Sequence, residues 1–503
     1  MVMNSYTYLG FLTVVVIIFW HLPNRFRGPY LLAVSIFYYA TWNPYFVLLP
    51  LSLCTAAYLL ARAMQRQPAR RETLAWAGTG LTLLVLGFFK YREFVAHNLS
   101  VLLAGLGAHP VSLGLAIGLP LGISFYSFEV ISCLVDSRQG RVALPSFLNL
   151  CNFVMFWPHL MSGPIVRVRE LVPQLSFGKR FSLKLLVSGL DRLIWGLVQK
   201  NAIANTIGWW VDQGFRAGGT HSTADNWVLA IGFGLQIYFD FAGYTNMAIG
   251  AARLLGINLP ENFRFPYHAA SPPDFWARWH MTLSRWIRDY LFFPVNARYR
   301  GAPLPLYLSL LGIMALVGLW HGAGWGFVIW GFMHGVYLVL YRLWEGVYSA
   351  GEKAAEVQTG SVPAAAGSAA NASVDARRSR TMTGPIWAVA WRVFTLVAVT
   401  AAWVPFRARQ GKLAANMLYS MFFHFSWGLD FPHRFYALTG LFVALCVAEP
   451  LVARFLAWLD DAAEEKAAAR GAMILARTLT YAAGLLLFMI FDQQETQFIY
   501  FQF

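Results

Sequence analysis

Long apolar segments recur along nearly the whole chain, and this feature limits its possible folds more than any other. A helix needs about 20 apolar residues to cross the hydrocarbon core of a bilayer. After a first apolar stretch at 6–20, further segments fall at about 29–63, 74–91, 111–135, 146–163, 181–210, 226–255, 303–320, 324–344, 386–405, 435–456 and 472–491. The pattern predicts an all-α polytopic membrane protein with about ten to twelve transmembrane helices.

Composition and charge agree with a membrane location. Charged residues make up 13 % of the chain, about half of the roughly 25 % that soluble domains carry. The formal net charge is +15, but no basic module with interleaved aromatic residues is present, so we predict no nucleic-acid partner. Lys and Arg instead cluster between apolar segments, which is typical of cytoplasmic loops. The clusters are Arg62, Arg66, Arg70 and Arg71; Arg167, Arg169, Lys179, Arg180 and Lys184; and Arg278, Arg285, Arg288, Arg298 and Arg300.

The chain divides into four parts. Transmembrane helices occupy 1–110, and 111–345 forms a core in which Pro120 interrupts an apolar segment. An interrupted helix at membrane depth packs on protein or lines a wet cavity, so we expect a cavity in the core. An Ala/Gly/Ser-rich segment at 350–384 predicts a flexible linker. The remainder, 385–503, is predicted to be a C-terminal transmembrane bundle.

One segment of the core differs from the transmembrane segments. Its apolar residues fall at 275, 276, 279, 283, 286, 287 and 290, which is the period of an amphipathic helix. Ser271, followed by two prolines, is a typical helix start. Because Trp and Arg dominate, we predict that the helix covers 273–291 and lies in the membrane interface. His280 lies at the edge of its apolar face.

Motifs of soluble enzymes, and the Cys and His spacing of metal sites, are absent from the sequence. We therefore predict no metal and no tightly bound cofactor. An ionisable residue within the membrane is costly, and this makes it a candidate site residue. His321 follows Trp320 and precedes Gly322-Ala-Gly324, where small residues leave room for a ligand beside the imidazole. A structural hydrogen bond or a general base would each explain His321, and the same alternatives apply to His334.

Other polar residues also interrupt apolar segments. Gln236, Asp240 and Tyr244 recur every four residues and form one polar face of a long helix. Asp240 either accepts hydrogen bonds from neighbouring helices or pairs with an Arg, or else this face lines a substrate path. His159 precedes the Gly163-Pro164 pair, which predicts a re-entrant turn or a helix end.

An ordered set of short motifs runs from about residue 120 to the end of the chain. They are Gly122-Ile-Ser-Phe-Tyr126, Ser162-Gly-Pro-Ile-Val-Arg167, Tyr238-Phe-Asp-Phe-Ala-Gly-Tyr244, Asn262-Phe-Arg-Phe-Pro-Tyr267, Phe275-Trp-x-Arg-Trp-His-x-x-Leu-Ser284, Gly318-Leu-Trp-His-Gly322, Trp403-Val-Pro-Phe-Arg-Ala408 and Phe498-Ile-Tyr-Phe-Gln-Phe503. With this set the sequence resembles the membrane-bound O-acyltransferase superfamily, and closely resembles its bacterial branch of alginate O-acetyltransferase membrane subunits.

The resemblance implies helices around a central funnel, and transfer of an acetyl group from a cytoplasmic thioester, expected to be acetyl-CoA. It implies that His321 is the catalytic base that takes the hydroxyl proton, while His280 orients or polarises the reacting groups. Substrate contacts are expected at Gln236, Asp240, Tyr244, Asn262, Trp320, Trp325 and His334. The phosphates of the donor are expected to bind a basic cluster of four residues, Arg167, Arg169, Lys179 and Arg180. The alternative is that this cluster only determines the membrane topology.

The resemblance also implies a location and a set of partners. We expect the bacterial cytoplasmic (inner) membrane, with O-acetylation of an exopolysaccharide of the alginate or cellulose type. The acetyl group passes either directly or through a periplasmic acetyltransferase of the SGNH-hydrolase type. Membrane lipid and the polysaccharide export machinery are further expected partners. Peptidoglycan and a teichoic acid D-alanyl system are other acceptors. A secondary transporter and a non-catalytic scaffold of an export complex are alternatives from other classes.

Overall fold

The computed structural model describes residues 1–107, 109, 118–217, 221–299, 302–359, 385–408, 410–465 and 467–491. Every regular element in these ranges is helical, which confirms the all-α fold class. The first helices are α1 (Tyr6–His21), α2 (Asn24–Ala40), α3 (Leu48–Arg66), α4 (Arg71–Gly105), α5 (Ile123–Arg138), α6 (Phe147–Met155), α7 (Trp157–Leu160), α8 (Val168–Leu171), α9 (Leu183–Leu197), α10 (Thr206–Arg216) and α11 (Thr223–Leu254).

The second half of the chain continues the helical pattern. Its helices are α12 (Pro272–Trp276), α13 (Met281–Ile287), α14 (Phe293–Asn296), α15 (Pro303–His321), α16 (Trp325–Thr359), α17 (Pro385–Arg407), α18 (Gly411–Phe422), α19 (His433–Glu465) and α20 (Ala467–Phe491). Short 3₁₀ segments lie at Tyr45–Val47, Pro68–Arg70, Val172–Ser176, Pro266–His268 and Ala297–Tyr299, and π-helical segments at Val198–Asn205 and Arg288–Phe292.

Seven of the described helical segments are long and apolar enough to cross a membrane, which makes the chain a multi-pass membrane protein. They are Tyr45–Arg66, Pro68–Gly105, Pro303–His321, Trp325–Tyr348, Ile386–Arg407, His433–Trp458 and Met473–Phe491. The further crossings in the predicted ten to twelve would have to come from shorter or more polar helices. Candidates are α1, with 16 residues, and α11, with 32. The number of crossings stays a prediction.

Serine side chains begin several of the helices. In each case the Ser hydroxyl accepts a hydrogen bond from a backbone N–H of the first turn, which has no partner within the helix. These N-caps are Ser5, Ser146, Ser182, Ser222 and Ser271. Ser271 is therefore the helix start that the sequence predicts.

Helix α11 lies at the centre of the fold, and nearly all of its residues from Leu229 to Ala252 are buried. Glycines let α9 and the following π-helical segment approach it closely. A Cβ at Gly243 would lie 2.8 Å from the Gly196 carbonyl oxygen, and a Cβ at Gly250 would lie 2.7 Å from that of Gly189. Helix packing through small residues is typical of membrane proteins, and here it brings the polar residues of α11 against neighbouring helices.

The predicted amphipathic helix over 273–291 is wrong in one respect, because it is not continuous. It is divided into α12 and α13, and His280 at the break has a left-handed φ of +42°. Tertiary hydrogen bonds stabilise the break. The Met281 N–H donates to the Asn262 carbonyl oxygen at 2.8 Å, and the Arg264 N–H donates to the Arg278 carbonyl oxygen at 3.0 Å. These backbone bonds replace the ones that a continuous helix would make.

The predicted linker also differs at its start. Helix α16 continues to Thr359, so the first residues of the 350–384 segment are helical. Residues 360–384 lie outside the described part of the chain, as does the terminal motif Phe498–Phe503. The long helix before the linker extends the apolar segment that begins at Trp325, because Glu, Lys and Ala at 352–356 are good helix formers.

Candidate active site

The turn between α15 and α16 places His321 inside the protein. Helix α15 ends at His321 because Gly322 is extended, with φ −163° and ψ 148°. A side chain at Gly318 or Gly322 would overlap Phe327, so both glycines allow close packing of α15 on α16. The Phe327 ring therefore fills the space beside Gly322, and the expectation of room for a ligand there is wrong. His321 itself is only 3 % exposed.

His280 is the second buried imidazole, and its backbone is strained. A left-handed φ costs a residue with a Cβ about 1–2 kcal/mol. Such a conformation persists where surrounding contacts fix it, and it is frequent at active sites. His280 is fully buried, with Phe241 packed against it at 4.7 Å between ring centroids.

Hydrogen bonds to Asn262 determine which nitrogen of His280 carries the proton. Asn262 Oδ1 accepts from the Thr282 N–H at 3.2 Å and from the Thr282 hydroxyl at 2.9 Å. Because a backbone N–H can only donate, the amide atom that it contacts must be the oxygen. The same oxygen lies 3.0 Å from His280 Nδ1, which must therefore donate. Nε2 of His280 then offers a lone pair, and it has no hydrogen-bond partner among the described residues.

The two imidazoles share an aromatic enclosure. Their ring centroids are 6.4 Å apart, so both can contact the same small group. Trp320 lies 5.0 Å from His321 and 6.1 Å from His280. Trp330 and Phe406 lie 5.0 Å and 5.6 Å from His321 on its other sides. These rings exclude water, which strengthens electrostatic interactions at the site.

Three further predicted substrate residues lie at different depths around this enclosure. Trp320 is part of it. His334 is buried one layer behind, 4.9 Å from Trp330 and 5.1 Å from Trp276. Trp325 is 60 % exposed, and its indole N–H donates to Asn98 Oδ1 at 2.8 Å. Trp325 therefore packs on α4 at the surface of the protein.

The polar face of α11 makes structural contacts. Asp240 forms a buried ion pair with Lys200 of the π-helical segment. An ion pair with a basic residue was one of the predicted alternatives, but the partner is Lys and not Arg. Gln236 packs against Gly208 of α10, where a Cβ would lie 2.5 Å from its amide nitrogen. Tyr244 is buried beside Ser162. Asn262, expected to contact substrate, holds His280 through its amide oxygen, and its substrate contact stays a prediction.

His159 lies in the short helix α7, in the buried stretch that precedes the turn of the Ser162 motif. Its Nδ1 lies 3.1 Å from a carboxylate oxygen of Glu129 in α5, and both side chains are 1 % exposed. The Glu129 carboxylate also accepts from the Val166 N–H at 3.4 Å. Glu129 thus connects α5 to the segment that leads to Arg167.

The four predicted phosphate ligands do not converge. Arg167 is buried and pairs with Asp289 at 2.7 Å. Burial alone would raise the pKa of Asp289, but hydrogen bonds from Arg288 and Arg167 and their charges hold it below its ordinary value. Lys179 donates to the Gly256 carbonyl oxygen at 2.9 Å. The remaining two, Arg169 and Arg180, are exposed.

A separate cavity of about 430 Å³ opens beside the His280 segment. Phe263 and Met281, which directly follow Asn262 and His280, form part of its wall. The other lining residues combine charged and polar groups from α9, the π-helical segment after it, α11, α19 and the loop after α11. They include Arg192, Gln199, Tyr238, Thr245, Asn246, Glu261, Arg264 and Glu449. A cavity of this size accommodates a small organic ligand.

Two lysines were not predicted as part of this region, Lys90, which is half-buried, and Lys200, which is buried. Lys90 of α4 donates from Nζ to the Trp320 carbonyl oxygen at 2.5 Å, and Lys200 pairs with Asp240. Each lies in an apolar segment of the sequence. His321 is a candidate because it is an ionisable residue within an apolar segment. The same criterion would have identified both lysines.

The described part of the chain is a multi-pass helical membrane protein that holds two buried histidines beside a polar cavity. Comparison with known families identifies it further. The model of MBOAT, the membrane-bound O-acyltransferase family, matches residues 34–352, and the chain belongs to this family. It is therefore an O-acyltransferase.

Several curated relatives align with the chain over shares that range from about half to all of it. The probable alginate O-acetylase AlgI of Pseudomonas putida is 32 % identical over 527 residues, covering 100 % of both chains. Its counterpart from Pseudomonas aeruginosa is 34 % identical and covers 90 % of this chain and 81 % of its own. The peptidoglycan O-acetyltransferase of Helicobacter pylori is 34 % identical over 63 % of this chain and 64 % of its own. A teichoic acid D-alanyltransferase of Bacillus subtilis covers 45 % of this chain and 59 % of its own, at 32 % identity.

Proposed function

We propose that this O-acyltransferase transfers an acetyl group from cytoplasmic acetyl-CoA to an exopolysaccharide of the alginate type. The observation that carries the proposal is the pair of buried imidazoles, His280 and His321, in one aromatic enclosure. Similarity to probable alginate O-acetylases over the whole chain supports the acetyl group and the acceptor class. The relatives that act on peptidoglycan and teichoic acid align over smaller shares of the chain.

In the proposed reaction the acceptor hydroxyl oxygen attacks the carbonyl carbon of the thioester. His321 takes the hydroxyl proton as the C–O bond forms and the C–S bond breaks, and it returns this proton to the leaving thiolate. His280 presents a lone pair at Nε2, so it can accept a hydrogen bond and orient the attacking hydroxyl. In this tautomer it has no proton to give to the developing oxyanion. The tautomer therefore supports the orienting role of His280 over the polarising one.

The cavity next to His280 is proposed to receive the donor. Acetyl-CoA carries its thioester on a pantetheine arm with two amides, which requires hydrogen-bonding groups along a narrow cavity. Gln199 and Asn246 supply amides, and Thr245 Oγ1 is buried without a hydrogen-bond partner among the described residues. Arg264 supplies positive charge for the phosphates at the exposed end. The predicted cluster around Arg167 then serves as a topology signal.

We also propose that the acetyl group reaches the polymer through a periplasmic transferase of the SGNH-hydrolase type. Both histidines are almost completely buried. A hydroxyl on a protruding protein loop reaches such a narrow site more readily than a hydrated polymer does. The burial therefore supports a relay over direct modification of the polysaccharide.

Acetylation of the secreted polymer tests the proposed function. A deletion strain is complemented with the wild type or with His321→Ala, with protein levels matched by immunoblot, and polymer O-acetyl groups are measured by proton NMR. We expect loss of O-acetyl groups on deletion and restoration by the wild type alone. Unchanged acetylation in the deletion strain would overturn the proposal. Restoration by His321→Ala would favour a non-catalytic scaffold.

A further inference from the structure

The carbonyl oxygens at the end of α15 receive hydrogen bonds from outside the helix. The last four carbonyls of an α-helix have no partner within it, and leaving them buried without one is costly. Gly318 O accepts from the Gly322 N–H at 3.3 Å. Leu319 O accepts from the Tyr91 hydroxyl at 3.1 Å, and Trp320 O accepts from Lys90 Nζ at 2.5 Å. Two adjacent residues of α4 thus satisfy the two carbonyls that precede His321.

Lys90 is an unusual residue for this position. It lies within the candidate transmembrane segment Pro68–Gly105, where an ammonium group is costly and is a functional-site candidate by default. Its hydrogen-bond acceptors are neutral oxygens, Trp320 O and Ser124 Oγ, the latter at 3.1 Å. The ammonium also lies 5.6 Å from the Trp320 ring centroid, within cation–π range. All three contacts converge on the end of α15 and the start of α5.

Charge and helix geometry indicate that these contacts stabilise the C-terminal end of α15. The C-terminal end of a helix carries a partial negative charge, and a cation there is stabilising. The ammonium of Lys90 is placed at that end, one peptide unit before His321. Because His321 closes α15 and is followed by the extended Gly322, no further helical turn holds its backbone. The position of the imidazole therefore depends on what holds the carbonyls just before it.

We propose that Lys90 and Tyr91 form a clamp on the C-terminal end of α15 that fixes the orientation of His321 for proton transfer. They are positioning residues, since they act through the backbone of Leu319 and Trp320. Ser124, from the Gly122-Ile-Ser-Phe-Tyr126 motif, supports the clamp by holding the Lys90 ammonium. The inference rests on the proposed function in taking His321 as the base, but the clamp is also testable without activity.

Four variants test the clamp. Lys90→Met removes the ammonium and keeps an apolar stem of similar length, Lys90→Arg keeps the charge and donors, and Tyr91→Phe removes one hydroxyl. Lys412→Met makes the same change at an exposed lysine of α18 and serves as the control. Each full-length protein is purified in nanodiscs. Amide hydrogen exchange of the 317–324 peptide and of a peptide from α11 is then measured, together with kcat and KM for acetyl-CoA.

The clamp predicts a local effect with a kinetic consequence. In Lys90→Met, exchange in 317–324 accelerates about tenfold or more while exchange in α11 is unchanged, and kcat falls about 10- to 100-fold because the base is misplaced. KM for acetyl-CoA stays within about twofold, Lys90→Arg regains most of the kcat, and Tyr91→Phe shows a smaller version of both effects. Lys412→Met matches the wild type.

Other results would overturn the clamp. Hydrogen exchange and kcat at wild-type values in Lys90→Met would contradict the clamp. A loss of kcat in Lys90→Arg as large as that in Lys90→Met would also contradict it. If Lys90→Met does not fold, Tyr91→Phe decides, with wild-type exchange at 317–324 counting against the clamp. Absence of thioester turnover in the wild type would contradict the proposed function, whereas the exchange measurements would still decide on the clamp.

Discussion

The side-chain oxygen of Asn262 lies 3.0 Å from His280 Nδ1 and also accepts two hydrogen bonds from Thr282. This arrangement fixes both the orientation and the tautomer of His280, because the accepting atom must be an oxygen. A single buried amide thus determines that Nε2 of His280 faces the site with a lone pair. The relationship makes Asn262 a positioning residue and leads to the first prediction.

Replacement of Asn262 by Ala is expected to lower kcat about 10- to 100-fold, because His280 loses the acceptor that orients it. KM for the thioester should change much less, since Asn262 is completely buried. Steady-state kinetics of the purified protein measure both. Asn258→Ala, at an exposed position of the same loop, is the control. Wild-type kcat in Asn262→Ala would show that His280 needs no such support.

The Lys200–Asp240 pair predicts a stability effect separable from catalysis. Asp240→Asn leaves the Lys200 ammonium buried without its counter-charge, and breaking such a pair costs about 3–5 kcal/mol. A large fall in melting temperature is therefore expected, and the double variant Lys200→Met with Asp240→Leu should recover most of it.

Glu345→Gln in the partly exposed Arg342–Glu345 pair is the control for this experiment, and its melting temperature should hardly change. If the double variant folds well but is inactive, Asp240 lines the substrate path as the sequence allowed. Activity close to the wild type would assign the pair to structure.

Close packing of α15 on α16 predicts a sharp contrast between two glycines of one helix. Gly318→Ala forces its Cβ into the Phe327 backbone carbonyl, and overpacking of this kind costs about 1–3 kcal/mol. Because His321 lies on the next turn of the same helix, activity should fall as well. Gly312→Ala meets nothing within 4 Å, so its melting temperature should stay level or rise slightly. Equal behaviour of the two variants, in a thermal shift assay, would contradict the helix packing described.

The proposed donor cavity predicts a difference between long and short thioesters. Arg264→Glu should raise KM for acetyl-CoA about tenfold, because it replaces attraction of the phosphates by repulsion. KM for acetyl-pantetheine, which lacks the nucleotide phosphates, should change little. Arg434→Glu introduces the same charge change at an exposed position of α19 and should affect neither. An equal change of KM for both donors would argue against phosphate recognition by Arg264.

Much of the fold can be predicted from the sequence, because apolar segments and helix starts are patterns of neighbouring residues. Apolar segments predict the helical membrane fold directly, and Ser271 marks a helix start that the structure confirms. The break at His280 is different, since it depends on hydrogen bonds with the 262–264 loop, which no local pattern records. Helix periodicity alone therefore predicted one continuous helix where two short ones exist.

The site shows the same division between local and long-range information. Buried histidines are recognisable as costly residues in apolar segments, and the resemblance to a family assigned their roles. The ion-pair and hydrogen-bond partners of a side chain are not recognisable in this way. In the sequence Arg167 looks like a free cation, whereas the structure places Asp289 beside it. The three hydrogen bonds at the Asn262 side-chain oxygen are equally invisible in the sequence. Charges and amides acquire their roles from residues distant in sequence.

The most direct test of the account measures acetyl transfer by the purified protein. Wild type, His321→Ala and the exposed control His433→Ala are reconstituted in nanodiscs with radiolabelled acetyl-CoA, and release of CoA and transfer of label are followed. Loss of a general base typically costs about 10²- to 10⁴-fold in rate. We expect a fall of this size for His321→Ala alone. Full turnover by His321→Ala at a normal melting temperature would contradict the assignment of His321 as the base.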